Sequence, residues 1–558
     1  MKIKIDNQEY DFEENQTILE VARKNGIKIP TLCYLKGVCQ DSSCRICVVE
    51  DLKSNRLILS CNTPCVDGME LLTNSERVVA SRKKTLELML STHNKDCSSC
   101  KKSGYCKFQE LLKEYKLPFF HEFKRYKIDE SSPCIVRDIN KCILCGRCAK
   151  ICSQTQSVDA LTKQQRGYNT FMGCAFDMPM SESTCVGCGQ CALVCPTGAI
   201  TEKDETKKLK ELLANKDNYV VCQVAPSVRV SLAEMFGEKI GTFDEGRMVS
   251  ALKKLGFQKV FDINLGADFT VYEEANELIE RVKNNTLLPQ FSSCCPAWFK
   301  FTEKFYPEYA NHISSCKSPT EMLGALVKNF YSEKYGIDKN KIKVVGIMPC
   351  TAKKGEKERA EDVDLVLTTR EIGKLIDERG IDYLSLPHEE FDSPLSYYSG
   401  AGLIFGATGG VTEAVLRFAI KKLNPNENKI EFHEVRNGSG IKEVDVKLGD
   451  TTLKICVVSG LANARKVVED IKQGKQYHFV EVMACPGGCV NGGGQAYVDY
   501  DKIDASEVKN LRASSIYKKD SELKVRVSDE NEYMNNIYKE FFIPSPKKAH
   551  ELLHIRRS

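Results

Sequence analysis

The chain opens on strict alternation. Lys2-Ile3-Lys4-Ile5 puts its apolar side chains on one face, a polar turn follows near Asn7, and a second extended stretch runs through Tyr10 and Phe12, which together predict a hairpin. Thr17 and Glu20 then stand at capping-box spacing around Ile18, Leu19, Val21 and Ala22, predicting a helix that stops at Gly26. Beyond Thr201 the pattern changes. Helical periodicity at Lys207 to Leu213 and Ala275 to Val282 alternates with continuous apolar runs at Tyr219 to Val224, Lys343 to Ile347 and Ile455 to Val458. This predicts a mixed α/β domain of roughly 350 residues.

With 558 residues, 42% hydrophobic and 28% charged, the chain has material for several folded domains. Its 80 basic and 76 acidic residues nearly balance, which argues against a nucleic-acid protein. A pI near 8.0 still suits a locally basic face that docks an acidic carrier. No apolar run approaches a membrane span, and Met-Lys-Ile-Lys-Ile-Asp lacks a signal-peptide core, so a cytoplasmic protein is expected. The 27 cysteines change the picture most. Many are grouped at two-residue gaps, and in a reducing compartment that grouping points to metal ligation rather than disulfides.

Four groups precede residue 208. Cys33, Cys44, Cys47 and Cys61 follow the predicted hairpin and helix, and resemble the β-grasp plant-type ferredoxin domain that holds a [2Fe-2S] cluster. Cys39 competes with Cys33, because Cys39-x4-Cys44-x2-Cys47 also has a plant-type gap. His93, Cys97, Cys100 and Cys106 resemble the set of one histidine and three cysteines that holds a [4Fe-4S] cluster, with zinc as the competing ligand. Cys142, Cys145, Cys148 and Cys152, then Cys185, Cys188, Cys191 and Cys195 before Pro196, resemble a bacterial two-cluster ferredoxin. In that arrangement the fourth cysteine of each run serves the other cluster.

Three further motifs follow: Ser-Ser-Cys-Cys-Pro-Ala-Trp at 292–298, Met-Pro-Cys-Thr-Ala-Lys-Lys at 348–354, and the glycine-rich stretch around Cys485 and Cys489. Together, in this order, they resemble the signature of the [FeFe]-hydrogenases, and the whole chain resembles the monomeric clostridial type with four accessory clusters. The resemblance implies a multidomain α+β and α/β protein: a [2Fe-2S] domain at 1–78, a small histidine- and cysteine-ligated [4Fe-4S] domain at 79–125, a two-[4Fe-4S] domain at 126–208 and an H-cluster domain at 209–558. It implies Cys295, Cys350, Cys485 and Cys489 as ligands of the H-cluster's [4Fe-4S] part, with Cys489 bridging to a two-iron subcluster that carries CO, CN and azadithiolate. Lys353 and the backbone around Ala225, Pro226 and Ser227 are implied as the source of hydrogen bonds to that group's cyanides, and Met348 and Met483 as packing residues. Cys294 is implied as the proton-donating thiol, with Glu274, Ser314, Glu277 and Arg281 leading outward. The five glycines of the 487–494 stretch are expected where a bulky inorganic group meets backbone without Cβ. The implied activity is reversible reduction of protons to H2, with ferredoxin as carrier and dedicated maturation proteins supplying the two-iron subcluster.

Two departures stand out. Thr320 occupies a wall position where the family places glutamine, and Cys316 is an unexpected thiol near the relay serine. Cys39, Cys65, Cys134, Cys174, Cys222 and Cys456 are read as structural. His550-Glu551-Leu552-Leu553-His554 spells a zinc-protease motif, but no third ligand lies downstream and a helix end is the better account. The glycines at 406–410 lack a phosphate-binding lysine, so close packing is expected there. Two other functions compete with hydrogenase: an electron-transfer subunit like that of complex I or a formate dehydrogenase, and a hydrogen sensor. The three C-terminal motifs weigh against the first, and the retained Cys294 against the second.

Overall fold

The computed structural model describes all residues except 95, 118–125, 359, 424–429, 437–439, 449–450 and 556–558. The expected boundary at residue 125 therefore lies outside the described residues. β1 (Lys2–Ile5) and β2 (Gln8–Asp11) form the expected hairpin, and α1 (Ile18–Lys24) begins at a complete Thr17–Glu20 capping box. β3 (Val48–Asp51), β4 (Arg56–Leu59) and β5 (Glu70–Leu72) complete a five-stranded sheet of order β2-β1-β5-β3-β4. Its cysteines lie on the loop before β3 and just after β4. Farther along, Ile135–Arg137 pairs antiparallel with Ile200–Glu202, so the two ends of the next cysteine-rich segment meet.

Two four-stranded sheets build the remainder. One has the order Lys259–Asp262, Tyr219–Val224, Ile342–Met348, Leu365–Thr368, and all its pairings are parallel. The other runs Gln290–Phe291, Phe479–Met483, Thr451–Ser459, Ile441–Leu448, and only its last pairing is antiparallel. Parallel strands are covered on both faces, which explains their unbroken apolar sequences.

The pattern at Ala275 to Val282 is the back of a 22-residue helix, Ile263–Asn284, capped by Asp262 and ended by left-handed Asn285. Its front half is buried all round, so it shows no amphipathic stripe to the eye. It packs against Pro319–Leu326, Gly400–Ile404 and Gly410–Leu423. Among the described residues, no helix is long and apolar enough to cross a membrane.

Candidate active site

Four parallel strands, two from each sheet, end at one cavity. Tyr219–Val224 leads into Ala225-Pro226-Ser227, Ile342–Met348 into Cys350, Gln290–Phe291 into Cys294-Cys295, and Phe479–Met483 into Cys485. The carboxyl ends of such strands are where open α/β sheets hold ligands. The cavity wall brings together Cys294, Cys295, Cys350, Cys485 and Cys489 with Ala225, Pro226, Ser227, Met348, Lys353 and Met483. Its volume of about 70 Å³ is several times what one water needs. Cys188 of the upstream cysteine run also lines it, and so do Phe405, Ile263 and Ala267, which were not singled out in the sequence. These last three carry no motif of their own and arrive only through folding.

Burial pushes the Cys350 thiol up to about 11, with Cys295 the strongest charge acting on it. Burial pushes Cys485 well up, followed by the repulsion of Cys350, Cys188, Cys295 and Cys489. Thiols so deeply placed and so mutually repelling do not ionise together unless a metal centre displaces their protons. Among the described residues no three His, Cys, Asp or Glu side chains converge as the ligands of a single ion would. A cluster takes its thiolates at separate irons, so the donor set fits an iron–sulfur group better than one ion.

Lys353 stands on the same wall with its Nζ 2.9 and 2.7 Å from the Glu356 carboxylate oxygens. Burial works against its charge, and Glu356 outweighs it, holding Lys353 above the usual lysine range. Thr320 lines the cavity with its hydroxyl 3.9 Å from Met348 Sδ.

Gly488 and Gly492 line the cavity, and two of the glycines of this stretch are also crowded by backbone. Gly488 has φ +94°, and a Cβ there would lie 2.6 Å from the Thr408 nitrogen; a Cβ on Gly493 would lie 2.5 Å from the Cys188 carbonyl oxygen. What these two exclude is a side chain against neighbouring backbone. The expected close packing at 406–410 holds as well, since a Cβ on Gly410 would lie 1.8 Å from the Ile404 oxygen.

On one side of the cavity a polar chain follows the long helix. Glu274 is fully buried; its Oε1 accepts the Ser293 N–H at 3.0 Å, and its Oε2 has no hydrogen-bond partner. Burial, then the Glu277 charge, raise Glu274 to about 8, while contact with the Ser314 hydroxyl works the other way. Burial and the nearby Glu274 push the Cys294 thiol well up. Ser314 Oγ donates to Glu277 Oε2 at 2.6 Å, and Arg281 donates to Glu277 Oε1 at 2.5 Å. Spacing alone would allow these carboxylates a solvated helix face, yet Glu274 faces inward. Cys316 is buried 3.8 Å from Glu277 Oε2, beside this chain and not on the cavity wall.

The upstream cysteines gather in groups. Cys33 N–H donates to Cys44 Sγ at 3.4 Å, and the Ser42 hydroxyl lies 3.4 Å from Cys61 Sγ. Hydrogen bonding to Cys44 lowers Cys33 to about 6, and bonding to Cys47 lowers Cys61 to about 7. Cys39 instead turns its sulfur toward the Cys145 carbonyl oxygen, 3.9 Å away. His93 is buried with Nδ1 unpartnered, and burial lowers it to about 4, leaving the neutral ring a metal requires. After burial, the charges acting on Cys148 are Cys145, Cys142 and Cys195, and those acting first on Cys191 are Cys188, Cys185 and Cys152. Cys39, Cys65, Cys134, Cys174, Cys222 and Cys456 are all buried.

These groups adjoin one another. Arg147 donates to the Cys33 and Tyr34 carbonyls at 3.3 and 2.6 Å. Lys107 N–H donates to the Pro196 carbonyl at 3.2 Å. Gln190 donates to the Asn491 carbonyl at 2.9 Å and Thr351 to the Gly187 carbonyl at 2.7 Å, seating the Cys188 loop on the cavity.

Family models match along the chain: a 2Fe-2S iron-sulfur cluster binding domain at 1–76, an NADH-ubiquinone oxidoreductase-G iron-sulfur binding region at 82–118 and a 4Fe-4S dicluster domain at 141–199. The iron only hydrogenase large subunit, C-terminal domain, matches 218–493, and the iron hydrogenase small subunit matches 506–556. Iron hydrogenase 1 of Clostridium pasteurianum is 38% identical, with 99% of each chain covered. The chain belongs to the [FeFe]-hydrogenase family.

The NADP-reducing hydrogenase subunit HndD of Solidesulfovibrio fructosivorans is 41% identical over 99% of this chain and 98% of its own. A solved variant of the [FeFe]-hydrogenase HydA1 from Chlamydomonas reinhardtii is 36% identical with a TM-score of 0.56, covering 63% of this chain and 98% of that one. This [FeFe]-hydrogenase is an oxidoreductase whose cofactors are an H-cluster, a [2Fe-2S] cluster and accessory [4Fe-4S] clusters. Its fold is the expected one, with ferredoxin-like domains on a large α/β domain.

Proposed function

We propose that this [FeFe]-hydrogenase reduces protons to H2, reversibly, with electrons from reduced ferredoxin. The observation that carries the reading is the single cavity walled by Cys294, Cys295, Cys350, Cys485 and Cys489 at the ends of four parallel strands. Cys295, Cys350, Cys485 and Cys489 would hold the H-cluster. Lys353 and the backbone of 225–227 would bind its anionic ligands, with Met348 and Met483 packing against it. When bound, that group supplies the metal-centred two-electron chemistry that interconverts protons and H2.

The chain's own part is to keep water out and to move protons and electrons by separate routes. Cys294 hands protons to and from the cavity, Glu274 exchanges them with Cys294, and Ser314 and Glu277 carry them outward, helped by Arg281, which is paired with Glu277. Burial suits Glu274 to this work, because a carboxyl near 8 holds or releases a proton close to working pH. Cys33, Cys44, Cys47 and Cys61 would hold [2Fe-2S]; His93, Cys97, Cys100 and Cys106 one [4Fe-4S]; Cys142, Cys145, Cys148 and Cys195 a second; Cys185, Cys188, Cys191 and Cys152 a third. The charge neighbours of Cys148 and Cys191 support this crossed pairing. The Arg147 and Lys107 contacts support two outer groups converging on the second cluster, and the Cys188 loop supports the third as the donor to the cavity.

The four domain ranges, a cytoplasmic monomer and insertion of the two-iron group by maturation proteins complete the proposal. A second reading is favoured by the likeness to HndD: electrons exchanged with a pyridine-nucleotide subunit in place of ferredoxin. Anaerobically matured protein, supplied with reduced methyl viologen beside a Cys294→Ala variant, tests the activity. H2 from the wild type, with carbonyl and cyanide infrared bands in both and turnover lost in the variant, is expected. Bands without wild-type turnover would favour a sensor. Reduced ferredoxin against NADPH with a partner subunit separates the two donors.

A further inference from the structure

The zinc-protease-like motif has another use in this fold. His554 follows the helix Pro546–Leu553, and the strand-like residues around it are stitched to the loop after Ser314. Lys317 N–H donates to the Leu553 carbonyl at 2.8 Å, and Ile555 N–H donates to the Ser315 carbonyl at 2.8 Å. Between these bonds, Ser315 Oγ lies 2.8 Å from His554 Nδ1, and His554 Nε2 lies 3.2 Å from Glu273 Oε2. A neutral ring satisfies both if Nδ1 accepts from Ser315 and Nε2–H donates to Glu273. Tyr538 donates to the other Glu273 oxygen.

The same loop encloses Glu277. Ser314 Oγ donates to Glu277 Oε2 at 2.6 Å and Ser315 N–H donates to it at 3.1 Å. Glu273 and Glu277 are four apart on one helix and so lie one turn from each other on the same side. His554 therefore ties the loop to the helix one turn from the carboxylate that the loop must meet. We propose that His554 is a positioning residue of the proton path, holding Ser314 and the Ser315 amide on Glu277 through Ser315 and Glu273. This rests on the relay reading above. A side chain that merely finished the helix would need one partner; His554 has two, on two different elements, both beside Glu277. Its other ring neighbour, His550 at 4.8 Å, belongs to its own helix.

The test uses full-length matured enzyme with reduced methyl viologen in H2O and in D2O, normalised to carbonyl and cyanide band intensity. His554→Ala and Ser315→Ala are expected to lower turnover on the order of tenfold. The solvent isotope effect should rise and the donor KM should stay unchanged. His554→Gln, which keeps one acceptor and one donor, should recover turnover to within about twofold of wild type. Wild-type turnover and isotope effect in His554→Ala would overturn the proposal, as would a loss that glutamine does not relieve. Amide exchange in unmatured protein reads the loop without any activity: peptide 312–318 should exchange faster in His554→Ala and normally in His554→Gln, and equal exchange in both would overturn the proposal. If Glu277→Gln keeps wild-type turnover, the relay reading fails whatever the His554 variants do.

Discussion

Replacing Glu274 by glutamine isolates what burial does for this enzyme. The carboxyl rises from 4.5 to about 8, so ionising it inside the protein costs about 5 kcal/mol more than in water. Below pH 4.5 both folded and unfolded chains hold the proton. Between 4.5 and 8 only the folded chain holds it, so the contribution to stability falls as pH rises through that window and is lost above about 8. Glu274→Gln removes both this slope and the exchangeable proton. In matured enzyme the variant should lose about 10²- to 10⁴-fold in H2 evolution and in H2 oxidation, the range of a displaced acid–base group. It should keep its carbonyl and cyanide bands, because Glu274 is not on the cavity wall. The protonated carboxyl stretch present in wild type and absent from the variant should disappear as pH passes about 8. A variant retaining more than about a tenth of wild-type turnover with full bands would refute the argument. So would a carboxyl band that titrates near 4.5.

Three other changes probe the neighbouring links. Arg147→Met leaves the buried Cys33 and Tyr34 carbonyls unpaired, at about 1–3 kcal/mol each, and should speed proteolysis of residues 1–78 while leaving viologen-driven turnover intact. Glu356→Gln removes the carboxylate that outweighs burial at Lys353, so the lysine should titrate lower and the cyanide infrared bands should shift; unchanged bands across pH 6–10 would disprove the coupling. Gly493→Ala places a Cβ 2.5 Å from the Cys188 carbonyl, which cannot yield as a flexible side chain would. Reduction of the cavity cluster by the accessory clusters should slow at least several-fold in freeze-quench spectra, with total iron unchanged.

Much of this was readable because the ligand spacings are local. A Cys-x2-Cys-x2-Cys run carries its chemistry within a few residues, and the Thr17–Glu20 capping box and the apolar strand at Tyr219 to Val224 are equally self-contained. The long helix was only half visible, because periodicity vanishes where a helix is covered on every side. Glu356 sits three residues after Lys353, a spacing that could have flagged the pair, yet ion pairs at that spacing are common on surfaces. The partners of His554 lie 239 and 281 residues away in the chain, and no local pattern encodes them. The backbone from distant loops that crowds Gly488 and Gly493 is likewise encoded by no local pattern.

The adjacent cysteines that follow the strand Gln290–Phe291 pack against two different cores. Cys294 packs with the core that holds Ala267, Val271 and Ala275 of the long helix, the helix that carries Glu274 and Glu277. Cys295 packs with Trp298, Cys350, Cys185 and Cys188, the side where the accessory loops meet the cavity. On the function proposed above, a proton route through Cys294 and an electron route through Cys295 would reach one site from two different cores. Cys294 lies in the bend after the strand and Cys295 is the N-cap of the helix Pro296–Phe305, so this turn gives the two their different surroundings. Glu274, raised to about 8 by burial, lies on the Cys294 side of that division. Its charge acts on Cys294 and Cys316 and does not figure among the leading causes at Cys295 or Cys350.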